Sequence, residues 1–86
     1  MVTVMPNLRS VVDHDGAVIL DISGDQFFSM NSMGAFIWMR LLNGEGIDQI
    51  RDALVAETGM DASMVSADVD DFMADLKSKH LVHFPA

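Results

Sequence analysis

The 86-residue chain has no cysteine, only 5 Lys and Arg against 13 Asp and Glu, and no long apolar run. Without a thiol there are no disulfide staples, cysteine zinc sites or cysteine nucleophiles, so stability has to come from packing. Half of the residues are hydrophobic, which is enough for one core. A chain this short removes only roughly 60–65% of its unfolded surface from water, which leaves little for a second core. The formal charge of −8 repels phosphate backbones and anionic headgroups, so neither nucleic acid nor a membrane surface is an expected ligand. The stretch from Ala17 to Leu20 is strand-sized, far short of the roughly 20 apolar residues that cross a bilayer. Met1 to Pro6 lacks the basic and apolar regions of an export signal, and a soluble, cytoplasmic protein is expected. No low-complexity linker or internal repeat divides the chain. Residues 1–86 are therefore expected to form a single domain, with an ordered core over about residues 8–84.

Periodicity splits the chain near Met30 into a strand-rich beginning and a helical remainder. Leu8 to Asp13 and Ala17 to Ile22 are β-prone runs joined at His14-Asp15-Gly16, where Asp-Gly is expected to supply the positive φ of a tight hairpin. Alternation puts Val18, Leu20 and Ile22 on one face and Ala17, Ile19 and Asp21 on the other. A second turn at Ser23-Gly24-Asp25 leads to a third strand, Gln26 to Met30, completing a meander. Asn31-Ser32 can cap a helix whose stripe is Met33, Phe36, Ile37 and Leu41, widened by Trp38 and Leu42. Asn43 to Gly46 stops it. A second helix carries Ile47, Ile50 and Leu54 and ends at Gly59. Asp61 caps a third, with Val65, Val69, Phe72, Met73 and Leu76 at helical spacing. Leu81 to Phe84, before Pro85, is expected to return to the core as a short extended tail. The expected fold is α+β, a winged helix-turn-helix with a three-stranded antiparallel sheet followed by three helices.

Chemistry-bearing signals are sparse. No Ser, Thr or Lys has a base and an orienting partner in a local motif, so no catalytic residue is assigned. His80 and His83 straddle a helix end without a third ligand, and Asp13-His14-Asp15-Gly16 lacks the late Glu of a calcium loop, so neither a metal nor a cofactor is expected. A DNA-reading helix brings Arg and Lys to phosphates, whereas Asp61 to Lys79 carries Asp68, Asp70, Asp71 and Asp75 against Lys77 and Lys79. That sign points to a protein ligand and away from a winged-helix transcription regulator, which stays as an alternative. If Gln26 to Met30 is a sheet edge beside the third helix, its free N–H and C=O groups can accept a guest strand. Phe27 or Phe28, with Val69, Phe72, Met73 and Leu76, would then offer side-chain pockets, and periodicity leaves open which of these belong to the core.

The stretch from Asp21 to Trp38, with Met30-Asn31 followed by Gly34-Ala35 and Trp38, and then Leu41-Leu42-Asn43-Gly44, resembles the PqqD-like family, the RiPP precursor-peptide recognition elements. Ala67 to Leu76 followed by Leu81-Val82 is similar to that family's last helix and tail, so the resemblance runs from about Val12 to Val82. It implies a winged-helix binding protein without catalysis of its own. The leader segment of a ribosomally made precursor peptide would add as a strand to Gln26, Phe27, Phe28, Ser29 and Met30. The facing helix would contribute Asp68, Val69, Phe72, Met73, Asp75 and Leu76. The stand-alone size and aromatic third strand look most like the leader-binding protein of lasso-peptide biosynthesis, whose partners are a leader-cleaving cysteine protease and an ATP-dependent macrocyclase. The pyrroloquinoline quinone branch, with a radical SAM enzyme as partner, is the neighbouring alternative.

Overall fold

The computed structural model describes residues 2–84; the ends of the expected 1–86 domain, Met1, Pro85 and Ala86, lie outside the described residues. The elements in order are β1 (Thr3–Val4), β2 (Leu8–Asp13), β3 (Gly16–Asp21), β4 (Gln26–Asn31), α1 (Ser32–Leu42), α2 (Ile47–Thr58), α3 (Ala62–Ser78) and β5 (Val82–His83). β2, β3 and β4 form an antiparallel meander with β3 in the middle. This is the expected three-strand, three-helix order, with a small β1–β5 pair added, Thr3 opposite His83 and Val4 opposite Val82.

The first hairpin pairs Asp13 with Gly16, leaving His14 and Asp15 as its loop. Asp13 Oδ1 accepts the N–H of Asp15 at 2.8 Å and of Gly16 at 3.1 Å, so a carboxylate closes this turn. Gly16 has no positive φ, which corrects the reason expected for it. A Cβ there would stand 2.2 Å from the Met30 carbonyl oxygen, so glycine lets β4 approach β3 at this point. In the second turn Asp21 Oδ1 accepts from Gly24 N–H, and the left-handed residue is Asp25, at φ 52°.

The helices begin and end on local chemistry. Asn31 Oδ1 accepts the Gly34 N–H at 2.9 Å, capping α1, and Gly44 at φ 82° ends it with N–H bonds from Gly44 to Leu41 and from Glu45 to Arg40. Gly46 N–H donates to Gln49 Oε1 at the start of α2, and Gly59 at φ 68° terminates that helix. Asp61 Oδ1 accepts from the N–H and hydroxyl of Ser63, which holds the Asp61 carboxyl below its ordinary range. At the far end of α3, His80 takes φ 59°; its N–H reaches Lys77 and that of Leu81 reaches Leu76. This is a Schellman turn with histidine in the position glycine usually fills. It lays Leu81 against Leu76 and feeds the chain into β5.

Trp38 is fully buried at the centre, among Ile19, Ile37, Ile50, Val65, Val69, Leu76 and Leu81. α1 packs on the inner face of the sheet and α2 on α3. Alternation along β3 is as expected, with Ala17 and Ile19 buried and Val18 and Leu20 exposed. No helix among the described residues is long and apolar enough to cross a membrane.

Candidate peptide-binding groove

β4 bonds to β3 along one side only, so its second side is a free edge among the described residues. Beside that edge lies a groove of about 210 Å³ between β4 and the C-terminal half of α3. Of the residues named from sequence, the structure brings Phe28, Ser29 and Met30 together with Phe72, Asp75 and Leu76 around this groove. The strand register assigns their directions. Phe28 lies opposite Ile19 and Met30 opposite Ala17, on the inner face, whereas Phe27 lies opposite Leu20 and Ser29 opposite Val18, on the outer one.

The remaining named residues sit elsewhere. Val69 and Met73 are buried in the core, one helical row away from Phe72, which stays half-buried at the rim. Asp68 is exposed on α3, Gln26 is exposed at the start of β4, and Phe27 is 72% exposed. The groove also uses Asn31, Lys79 and Leu81, which sequence reasoning did not name. The Schellman turn accounts for Leu81, because it folds the residue back beside Leu76. The Asp75–Lys79 spacing of four was a readable signal for the ion pair that borders the groove, Nζ to Oδ2 at 2.8 Å. The Lys79 ammonium also stands 5.6 Å from the centre of the Phe28 ring, bridging helix to strand.

Gly34 sets the depth of one end. A Cβ on it would come within 2.9 Å of Phe72 Cε1 and 3.0 Å of Met30 Cβ, so its absence lets the start of α1 pass under both groove walls. The arrangement offers unpaired main-chain groups along an edge, an apolar floor of Phe28, Phe72 and Leu76, and one paired cation and carboxylate. Such a site can hold an extended peptide.

A family model described as Coenzyme PQQ synthesis protein D (PqqD) matches residues 16–82. The chain belongs to the PqqD family. The match begins at Gly16 and ends at Val82, and so takes in β3, β4, all three helices and the whole groove. Among solved structures, TbiB1 in complex with the TbiA(beta) leader peptide is similar at 28% identity with a TM-score of 0.90, covering 98% of each chain. Lasso peptide synthetase B1 complexed with the leader peptide is similar at 20% identity with a TM-score of 0.85, covering 96% of this chain and 98% of that one. The second likeness speaks for the fold alone. No curated protein matches the chain.

Proposed function

We propose that this PqqD-family protein is a noncatalytic recognition protein. It binds the leader segment of a ribosomally made precursor peptide as a fourth strand on β4 and presents it to a processing enzyme. The observation that carries this reading is the free β4 edge running beside an apolar groove on α3. The likeness to TbiB1, described in complex with a leader peptide and matched along nearly its whole length, supports it. About four strand-pairing hydrogen bonds at ~1 kcal/mol each and two apolar anchors at ~2 kcal/mol each stand against ~2–5 kcal/mol for ordering the peptide and the loss of rigid-body freedom. Neither contribution suffices alone, so backbone pairing and side-chain anchoring act together.

Within that role the lasso-peptide branch is favoured, because the aromatic β4 and the segment from Met30-Asn31 to Trp38 look most like the leader-binding protein of that branch. The partners are then a leader-cleaving cysteine protease and a macrocyclase. The outer face of the sheet supports handover to such an enzyme. Val11 lies opposite Val18 and Leu20 opposite Phe27, which makes a continuous apolar patch, with Val11 74% exposed. A strand added to β4 places its outward side chains next to Phe27, so one enzyme surface can touch carrier and cargo together. The description of the matching family model favours a second reading, a peptide chaperone of pyrroloquinoline quinone synthesis acting with a radical SAM enzyme.

The test is a titration of isotope-labelled protein with the leader of the precursor encoded beside it, followed by backbone amide shifts. Shifts concentrated on Gln26–Asn31 and the second half of α3, weakened at least tenfold by Phe72→Ser in a variant shown to be folded, are expected. Shifts that avoid both elements would overturn the reading. A neighbouring protease and cyclase, as against a radical SAM enzyme, decides the branch.

A further inference from the structure

A larger cleft, about 680 Å³, lies at another place on the molecule, between the tip of the β2–β3 hairpin, α1 and the C-terminal end of α2. It shares no lining residue with the β4–α3 groove. Its floor is made by the α1 side chains Met33, Phe36 and Met39, with Leu54 of α2 beneath. Met39 is 41% exposed, and Leu42, one turn further along the same helix face, continues the apolar surface out of the cleft. Unbranched methionines adapt to different guests.

The rim has a definite sign. Asp13 of the hairpin, Glu45 and Glu57 border the cleft. Arg40, the guanidinium at this cleft, is engaged with Glu45 at 2.8 Å and lies 4.6 Å from the centre of the Phe36 ring. Glu57 sits in the last turn of α2, which has no basic residue to meet the partial negative charge of the helix end. A carboxylate at that end adds negative charge where the backbone already supplies it, so a cation brought there by a guest is doubly favoured. The apolar floor, its extension along Leu42 and this uncompensated corner describe an occupant that is an apolar chain segment carrying a basic group.

We propose that this cleft is a second docking site, independent of strand addition. It takes a short segment of a partner protein that inserts an apolar side chain against Met33, Phe36 and Met39 and sets a Lys or Arg against Glu57. Methionine methyl labelling reads the site directly, because Met33 and Met39 line this cleft, Met30 lines the groove and Met73 lies in the core below Phe72. The probe is an acetylated, amidated peptide of leucine and lysine, compared with its leucine and glutamate counterpart. Saturable shifts at Met33 and Met39 with the lysine peptide, at least fivefold weaker in Glu57→Lys and in Met39→Glu, are expected, both side chains being accessible enough to change without loss of fold. No response at Met33 and Met39, equal response to the glutamate peptide, first movement at Met30, or an affinity unchanged in both variants would each overturn the proposal. Leader binding at β4 is followed in the same samples by backbone amides, so loss of one site is distinguished from loss of the other.

Discussion

Replacing Gly16 by alanine should destabilise this protein far more than a half-buried position at the start of a strand would suggest. The new Cβ would sit 2.2 Å from the Met30 carbonyl oxygen and 3.4 Å from its carbon. Ordinary contact begins about 1 Å further out, and the atom in the way belongs to the backbone, so no side-chain rotation relieves it. β3 and β4 must separate at this end. Overpacking of this kind costs about 1–3 kcal/mol, and a lost ladder bond adds about 1 kcal/mol, which gives a loss of about 2–4 kcal/mol. A chain of this length is typically stable by roughly 4–13 kcal/mol in total, so the loss is large. Urea unfolding followed by the fluorescence of the single, fully buried Trp38 measures it, with the denaturant slope unchanged. Gly16→Asn separates the two explanations for the glycine. Asparagine tolerates a left-handed backbone but brings the same Cβ, so it should be no better than alanine. A loss below about 1 kcal/mol for alanine, or a clear advantage of asparagine, would refute the steric argument.

Three further outcomes are expected. His80→Gly removes the cost of a left-handed non-glycine residue at the end of α3 and should raise stability by about 0.5–1 kcal/mol, seen as a higher melting temperature. Asp61 is held below its ordinary carboxylate range by the Ser63 hydroxyl and N–H, so its cap is fully present above that range and is lost as pH falls through the lowered value. Unfolding midpoints measured at falling pH should therefore drop less steeply below about pH 4 in Asp61→Asn than in the parent. Phe27→Ser should change stability by less than about 1 kcal/mol and leave leader affinity within threefold by calorimetry, while slowing processing of the bound leader by the partner enzyme of the proposed handover.

Much of this fold was readable because its boundaries are written in local chemistry. Asn31, Gly59 and Asp61 act where cap preferences put them, and the alternation of Ala17 to Leu20 gives the two faces of β3. The β1–β5 pair was not readable, since strands of two residues carry no period. Gly16 stands at the expected hairpin, but the atom that demands glycine there belongs to a residue fourteen positions away in sequence, beyond the reach of a local turn pattern. At the groove, helical spacing could not separate Phe72 from Val69 and Met73. All three belong to one apolar stripe, and only the position of the sheet decides which of them reaches the rim. The adjacent Phe27 and Phe28 posed the same problem, which strand register resolves: one faces the groove and the other the outer surface.

The pairing of Thr3 with His83 has a consequence for how this domain can be joined to others. It brings the two ends of the described chain side by side, like the feet of a closed clasp. A host protein could carry the whole fold as an insert in one of its own loops, entering and leaving at a single point, with the sheet and the three helices intact. The same closeness allows the ends to be bridged by a short linker and the chain reopened at Asn43–Gly46, between α1 and α2, where the connection is exposed or half-buried. A permuted chain built this way would begin with α2 and α3 and end with β4 and α1, so the two walls of the groove would be joined through the new linker instead of through the α1–α2 connection.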